Sequence, residues 1–112
     1  MTMKIKALVE HSDFNLISTC DDLERQIVGV ECCDLLSWVM ANGKEDEAWV
    51  TVQIHSNIIA VASLLDFSCI IVPENIKVDQ DVIDKASEEN IAVFSTALDA
   101  YGIFKVFYES GI

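Results

Sequence analysis

Four short polar stretches hold the residues best suited to chemistry. Gln53, His55, Ser56 and Asn57 gather two amides, an imidazole and a hydroxyl in one turn. Ser95 and Thr96 supply two hydroxyls in a second, and Asp34 follows Cys33 in a third. Pro73, Glu74 and Asn75 form the fourth. Each stretch lies where an apolar run gives way to a helix-like one. A helix start presents backbone N–H groups and the positive end of the helix dipole, a setting suited to a phosphate or carboxylate. His55 adds a donor of a proton or hydrogen bond. The chemistry is therefore the binding of a small anionic metabolite. Ser56, Asn57 and Thr96 are equally good helix caps, so binding depends on the turns meeting in space. His11 follows the first helix and suits its negative end. No Ser-His-Asp order or carboxylate pair stands out among the scattered acids.

The elements that must position these turns repeat one layout. Residues 27–33 read as a strand and 34–42 as a helix, with Asp34 as cap and Leu35, Leu36, Val39 and Met40 facing the core. Asn42 and Gly43 end that helix, glycine in a left-handed terminus. Residues 49–54 alternate, with Val50, Val52 and Ile54 on one face and Trp49, Thr51 and Gln53 on the other; residues 57–65 follow as a helix. That helix is apolar almost all round, which predicts burial on several sides and self-association. Residues 69–72 lead to a helix over 79–89, capped by Asp79, with Val78 and Ile83 at hydrophobic-staple spacing and Asn90 as a left-handed stop. Residues 91–94 lead through Ser95 and Thr96 to a helix over 97–108. Thr96 and Asp99 resemble its capping box, and Tyr101, Phe104 and Tyr108 form a stripe in a packed layer. Upstream, 4–10 reads as a short helix and 14–18 as a short strand, either antiparallel to the next or at an edge. Such alternation predicts a three-layer, Rossmann-like α/β domain with a mostly parallel sheet, whose strand ends line one edge where ligands bind.

Length and composition exclude several classes. The 112 residues suit one domain, 1–112, and 52% hydrophobic content excludes disorder. Seven basic against 19 acidic residues give a net charge of −12. The lysines are scattered and Arg25 is the sole arginine, so neither nucleic acid nor an anionic membrane is an expected partner. No apolar run reaches the length of a membrane span and no signal peptide is visible, which predicts a cytoplasmic protein. Cys20, Cys32, Cys33 and Cys69 form no CxxC pair. They read as small buried hydrophobes, without metal or cofactor.

Two segments carry a resemblance. One is Leu23-Glu24-Arg25-Gln26-Ile27-Val28-Gly29-Val30. The other runs from Asp34-Leu35-Leu36-Ser37-Trp38-Val39-Met40-Ala41-Asn42 to Trp49-Val50-Thr51-Val52-Gln53-Ile54-His55-Ser56-Asn57-Ile58-Ile59-Ala60-Val61-Ala62. Together they resemble the DRTGG-domain family, modules similar to the N-terminal domain of HPr kinase/phosphorylase. The family's Asp-Arg-x-x-Thr-Gly-Gly stands here with only Arg25 and Gly29 matched; Val28 and Val30 replace the threonine and the second glycine. The resemblance implies a regulatory domain, often joined in the family to CBS, phosphotransacetylase-like or kinase domains. Free-standing copies resemble proteins encoded near iron-hydrogenase and NADH-oxidising subunits. It also adds Arg25 to the candidate ligand residues. No GxxxxGK[ST] loop is present, so kinase chemistry is not expected.

The reading is a non-catalytic regulatory or sensor module, a homodimer, binding a small anionic metabolite or nucleotide and signalling to a partner protein. The alternative is an adaptor or assembly protein of a redox, hydrogenase-type complex with no small ligand. A small enzyme using Cys33 or His55 ranks behind both.

Overall fold

A computed structural model describes residues 2–112. The elements in chain order are β1 (Met3–Lys4), α1 (Ile5–Glu10), β2 (Phe14–Leu16), β3 (Gln26–Ile27), β4 (Gly29–Cys32), α2 (Leu36–Asn42), β5 (Glu47–Val50), α3 (Asn57–Leu65), β6 (Cys69–Val72), α4 (Gln80–Glu88), β7 (Ala92–Thr96) and α5 (Ala100–Glu109). Strands β4, β5, β6 and β7 are parallel and adjacent, and β2 adds an antiparallel edge beside β7. β1 and β3 form a separate antiparallel pair. This is the α/β fold with a mostly parallel sheet that the alternating layout predicts.

The central strands read as continuous apolar runs because both their faces are covered. All of Cys69 to Val72 is buried. One layer of core joins Val39, Trp49, Ile58, Ile59, Ile70 and Val93 beneath α2, α3 and α4. The other joins Ile5, Leu8, Ala48, Val50, Ile71, Phe94, Ile103 and Phe107 beneath α1 and α5. Since β4 to β7 succeed one another across the sheet, their right-handed crossovers put α2, α3 and α4 on one face.

Several local expectations need correction. β5 begins at Glu47 and ends at Val50, so the alternation over 51–54 belongs to a loop; Ile54 packs in the layer of Trp49, opposite Val50. Residues 27–33 split into β3 and β4, because the Val28 N–H turns to Asp46 O (2.9 Å) while β3 pairs with β1. Gly43 ends α2 at φ −65°, not left-handed. Its role is steric: a Cβ there would stand 2.5 Å from Phe67 Cζ and 2.8 Å from Val39 O. Thr96 lies in β7 and does not cap α5. Asp99 does, accepting the Gly102 N–H at 2.8 Å. Among the cysteines only Cys69 is buried; Cys32 is exposed because β4 is an edge strand. In α5, Ile103 and Phe107 face inward, while Tyr101, Phe104 and Tyr108 face out. α3 spends its apolar circumference on the core: Ile58, Ile59, Val61 and Ala62 are buried and Leu64 is left exposed. The staple of Val78 and Ile83 packs as expected, and Asn90 turns at φ 57°.

Candidate functional site

The parallel register carries β4, β5, β6 and β7 to one rim at their C-terminal ends. Asp34 leaves that rim after β4, Gln53 to Asn57 after β5, Glu74 and Asn75 after β6, and Ser95 and Thr96 sit at the end of β7. The turns thus share an edge, and within it they form two patches.

The first patch is built on Asp34. Its carboxylate does not cap α2, whose N-cap is Leu35. Instead Asp34 Oδ1 accepts from Thr51 Oγ1 (2.7 Å) and from the Val52 N–H (2.8 Å). Gln53 Nε2 donates to Asp34 O at 3.0 Å. Trp49 Nε1 donates to Cys33 O at 2.9 Å, fixing the same loop from below. Asp34 and Gln53 therefore shape the rim by holding the β5–α3 loop to the β4–α2 loop. A carboxylate takes this place because it can accept a hydroxyl and an amide N–H together.

At the start of α3 the imidazole replaces the hydroxyl as cap. His55 Nδ1 accepts the Asn57 N–H at 3.1 Å, while His55 O and Ser56 O accept from Ile58 and Ile59. Those N–H groups are consumed within the chain, contrary to the expectation that they receive an anion. What remains for a ligand is the side-chain chemistry: His55 Nε2, which carries the proton when Nδ1 accepts, and the polar ends of Ser56 and Asn57.

The second patch lies between β6, β7 and α4. Glu74 and Asn75 adopt left-handed backbone, φ 61° and 55°, and their N–H groups bind Leu98 O and Thr96 O, each at 2.9 Å. Thr96 is buried; its Oγ1 donates to Asp13 O (2.6 Å) and accepts the Leu98 N–H (3.1 Å), so it braces the rim from inside. Ser95 points to the other face and lines a groove of about 300 Å³ with Asn75, Ile76, Lys77 and Ile83. Sequence reasoning passed over Lys77. Its available signal was the placement of one of only seven basic residues four positions beyond Pro73. The groove includes none of Gln53, His55, Ser56 or Asn57.

Arg25 is not brought to this rim. It stands at the opposite one, where the strands begin. Its Nε and Nη2 donate to Asp46 Oδ1 (3.2 and 2.9 Å), and Nη2 also reaches Asp66 O (2.6 Å) and Asp66 Oδ1 (3.0 Å). Burial opposes the guanidinium charge, but the bonds to Asp46 and Asp66 outweigh it and raise its pKa. Gly29 nearby has room for a side chain, since a Cβ would meet Glu47 Oε2 at an ordinary 3.4 Å. Among the described residues no three His, Cys, Asp or Glu side chains gather as a metal site, and no helix is long and apolar enough to cross a membrane.

No protein-family model matches the chain, and no curated protein is similar to it. Among solved structures, its fold is similar to that of the CBS and DRTGG domains of the regulatory region of Clostridium perfringens pyrophosphatase, crystallised with the activator diadenosine tetraphosphate. The TM-score is 0.72 at 17% identity, over 95% of this chain and 45% of that one. The likeness is one of fold, and it bears out the DRTGG-like architecture read from the two sequence segments.

Proposed function

We propose that residues 1–112 act as one regulatory domain, a cytoplasmic homodimer without catalysis of its own. It binds a small anionic metabolite of nucleotide type at the C-terminal rim and passes the bound state to a partner protein. The observation that carries the reading is the shared rim: four strand-end turns with polar residues leave one edge of a sheet, the usual place for a ligand in an open α/β fold. A fold similar to that of a regulatory region crystallised with a nucleotide activator supports the same reading.

The residues divide by role. Lys77 and Ser95 supply charge and a hydroxyl for a phosphate in the groove beside α4. His55, Ser56 and Asn57 offer donors for a second phosphate or a sugar. Gln53, Asp34 and Thr96 hold the turns in place and touch no ligand. Arg25 acts on stability.

Calorimetric titration with a mono-, di- and dinucleotide series tests this. A nucleotide that binds, and binds at least about tenfold more weakly to both K77A and H55A, is expected for two donors of about 1.4 kcal/mol or more each. Absence of binding across the series, or binding untouched by both substitutions, overturns it.

A further inference from the structure

We propose that two copies of this chain join through strand β4, in antiparallel register about Val30, to form one continuous sheet. The proposal deepens the homodimer named above and is independent of any ligand at the rim.

The first argument is the free edge. Thr51 gives its N–H to Ile71 O at 3.2 Å and Glu47 O accepts the Ser68 N–H at 2.9 Å, so Glu47, Trp49 and Thr51 bond on the β6 side. In a parallel ladder the residues that bond a given neighbour alternate. Ala48 and Val50 therefore bond toward β4, where the register sets Gly29 and Glu31 to meet them, and the N–H and C=O groups of Val30 and Cys32 point outward. The opposite edge, β2, is only three residues long, one of the usual ways to blunt an edge. β4 contains neither proline nor lysine, and its one charge is Glu31.

The second argument is the register. A two-fold axis at Val30 sets Gly29 opposite Glu31 of the other copy, twice. Val30, whose backbone groups face outward, exchanges two hydrogen bonds with its own counterpart, and Gly29 and Glu31 form the closer, non-hydrogen-bonded pairs beside it. Each Glu31 carboxylate then lies over a residue without a side chain. Moving the axis to Glu31 would instead set two carboxylates face to face, which is unfavourable in a ladder. In the chosen register the one charge of the strand offers no obstacle.

The third argument is area. On the α5 side, Val28, Val30, Phe104, Phe107 and Tyr108 border a groove of about 380 Å³. Val28 is 45% exposed and Tyr108 81%. On the other side, α2 leaves Leu35 and Trp38 exposed. Because the axis is perpendicular to the sheet, each copy's α5 meets its counterpart on one face and each α2 on the other. With Phe104, these exposed side chains offer roughly 600 Å² per copy, most of the ~800 Å² that a stable interface takes from each partner.

Sedimentation velocity on the full chain, from about 1 to 100 µM, provides the test. The expected species has twice the 12.4 kDa chain mass. G29E, which sets acid opposite Glu31, should weaken the dimer at least about tenfold. G29K should keep it, serving also as proof that the position accepts a side chain, and adding E31K to G29E should restore it. A monomer at all concentrations overturns both this surface and the self-association. A dimer indifferent to G29E overturns the surface alone.

Discussion

Replacing Arg25 by methionine should destabilise the fold without touching the C-terminal rim of the sheet. The guanidinium spans two loops, making four hydrogen bonds of 2.6–3.2 Å to Asp46 and Asp66. Both aspartates sit in left-handed backbone, φ 65° and 57°. Hydrogen bonds to charged groups contribute about 1.5–3 kcal/mol each, but exposed ion pairs contribute under about 1 kcal/mol. The arginine side chain is 27% exposed and its partners 39% and 61%, so the whole clasp deserves about 2–3 kcal/mol. For a domain of this size that lowers the melting temperature by roughly 10 °C. Methionine retains the apolar stem and removes only the fork. Lysine, with charge but no fork, should recover less than half of the loss. Denaturant unfolding at low and high salt measures both variants, and the difference from wild type should narrow as salt screens the charges. A methionine variant within about 0.5 kcal/mol of wild type would refute the clasp. Loss of nucleotide binding at unchanged stability would refute its assignment to the far rim.

Two further outcomes follow from packing and burial. G43A drives a methyl group into Phe67 and the Val39 carbonyl, at 2.5 and 2.8 Å, and a backbone oxygen cannot step aside; unfolding should show a loss of about 1–3 kcal/mol. Burial pushes the Cys69 thiol far up from its usual pKa, while Cys32 is exposed with its pKa raised by burial and then by Asp34. Iodoacetamide at neutral pH followed by mass spectrometry should label Cys69 only on unfolding, and prompt labelling of Cys69 in the native protein would contradict its place in the sheet.

Where the chain revealed its structure, the physics was local. Cys69 to Val72 reads as a buried strand because a central strand needs apolar residues on both faces. The period of α5 was equally plain, but not its orientation: Ile103 and Phe107 turn inward, while the equally apolar stripe of Tyr101, Phe104 and Tyr108 faces out. Nothing local separates two apolar faces of one helix. Thr51 to Ile54 imitates a strand because alternation is only a pattern. The side chain of Asp34, 17 positions away, takes the Thr51 hydroxyl and fixes that segment as a loop. Arg25 was legible as unusual, yet its partners are 21 and 41 positions distant. Only the sheet brings those loops together. Of the candidate site, the turns and their common rim were readable from the repeated layout. The division into two patches was not, since it follows from which face Ser95 takes in β7.

The two rims of the sheet are built on different terms, and this separates stability from the proposed binding. Where the strands begin, Asp46 and Asp66 are locked by Arg25, and Ser68 closes the same corner by donating to Gln26 O. Polar groups there are consumed by the protein. Where the strands end, one part of each turn is consumed in the same way: Asp34 by Thr51 and Val52, Thr96 by Asp13 and Leu98, the Nδ1 of His55 by Asn57. That bracing fixes the loops at little conformational freedom, so a ligand need not supply the ordering. The ends of His55, Asn57, Ser95 and Lys77 then project from a frame already set. Some polar residues of this rim are spent on rigidity and their neighbours are left to solvent, which is the arrangement the proposed binding edge requires.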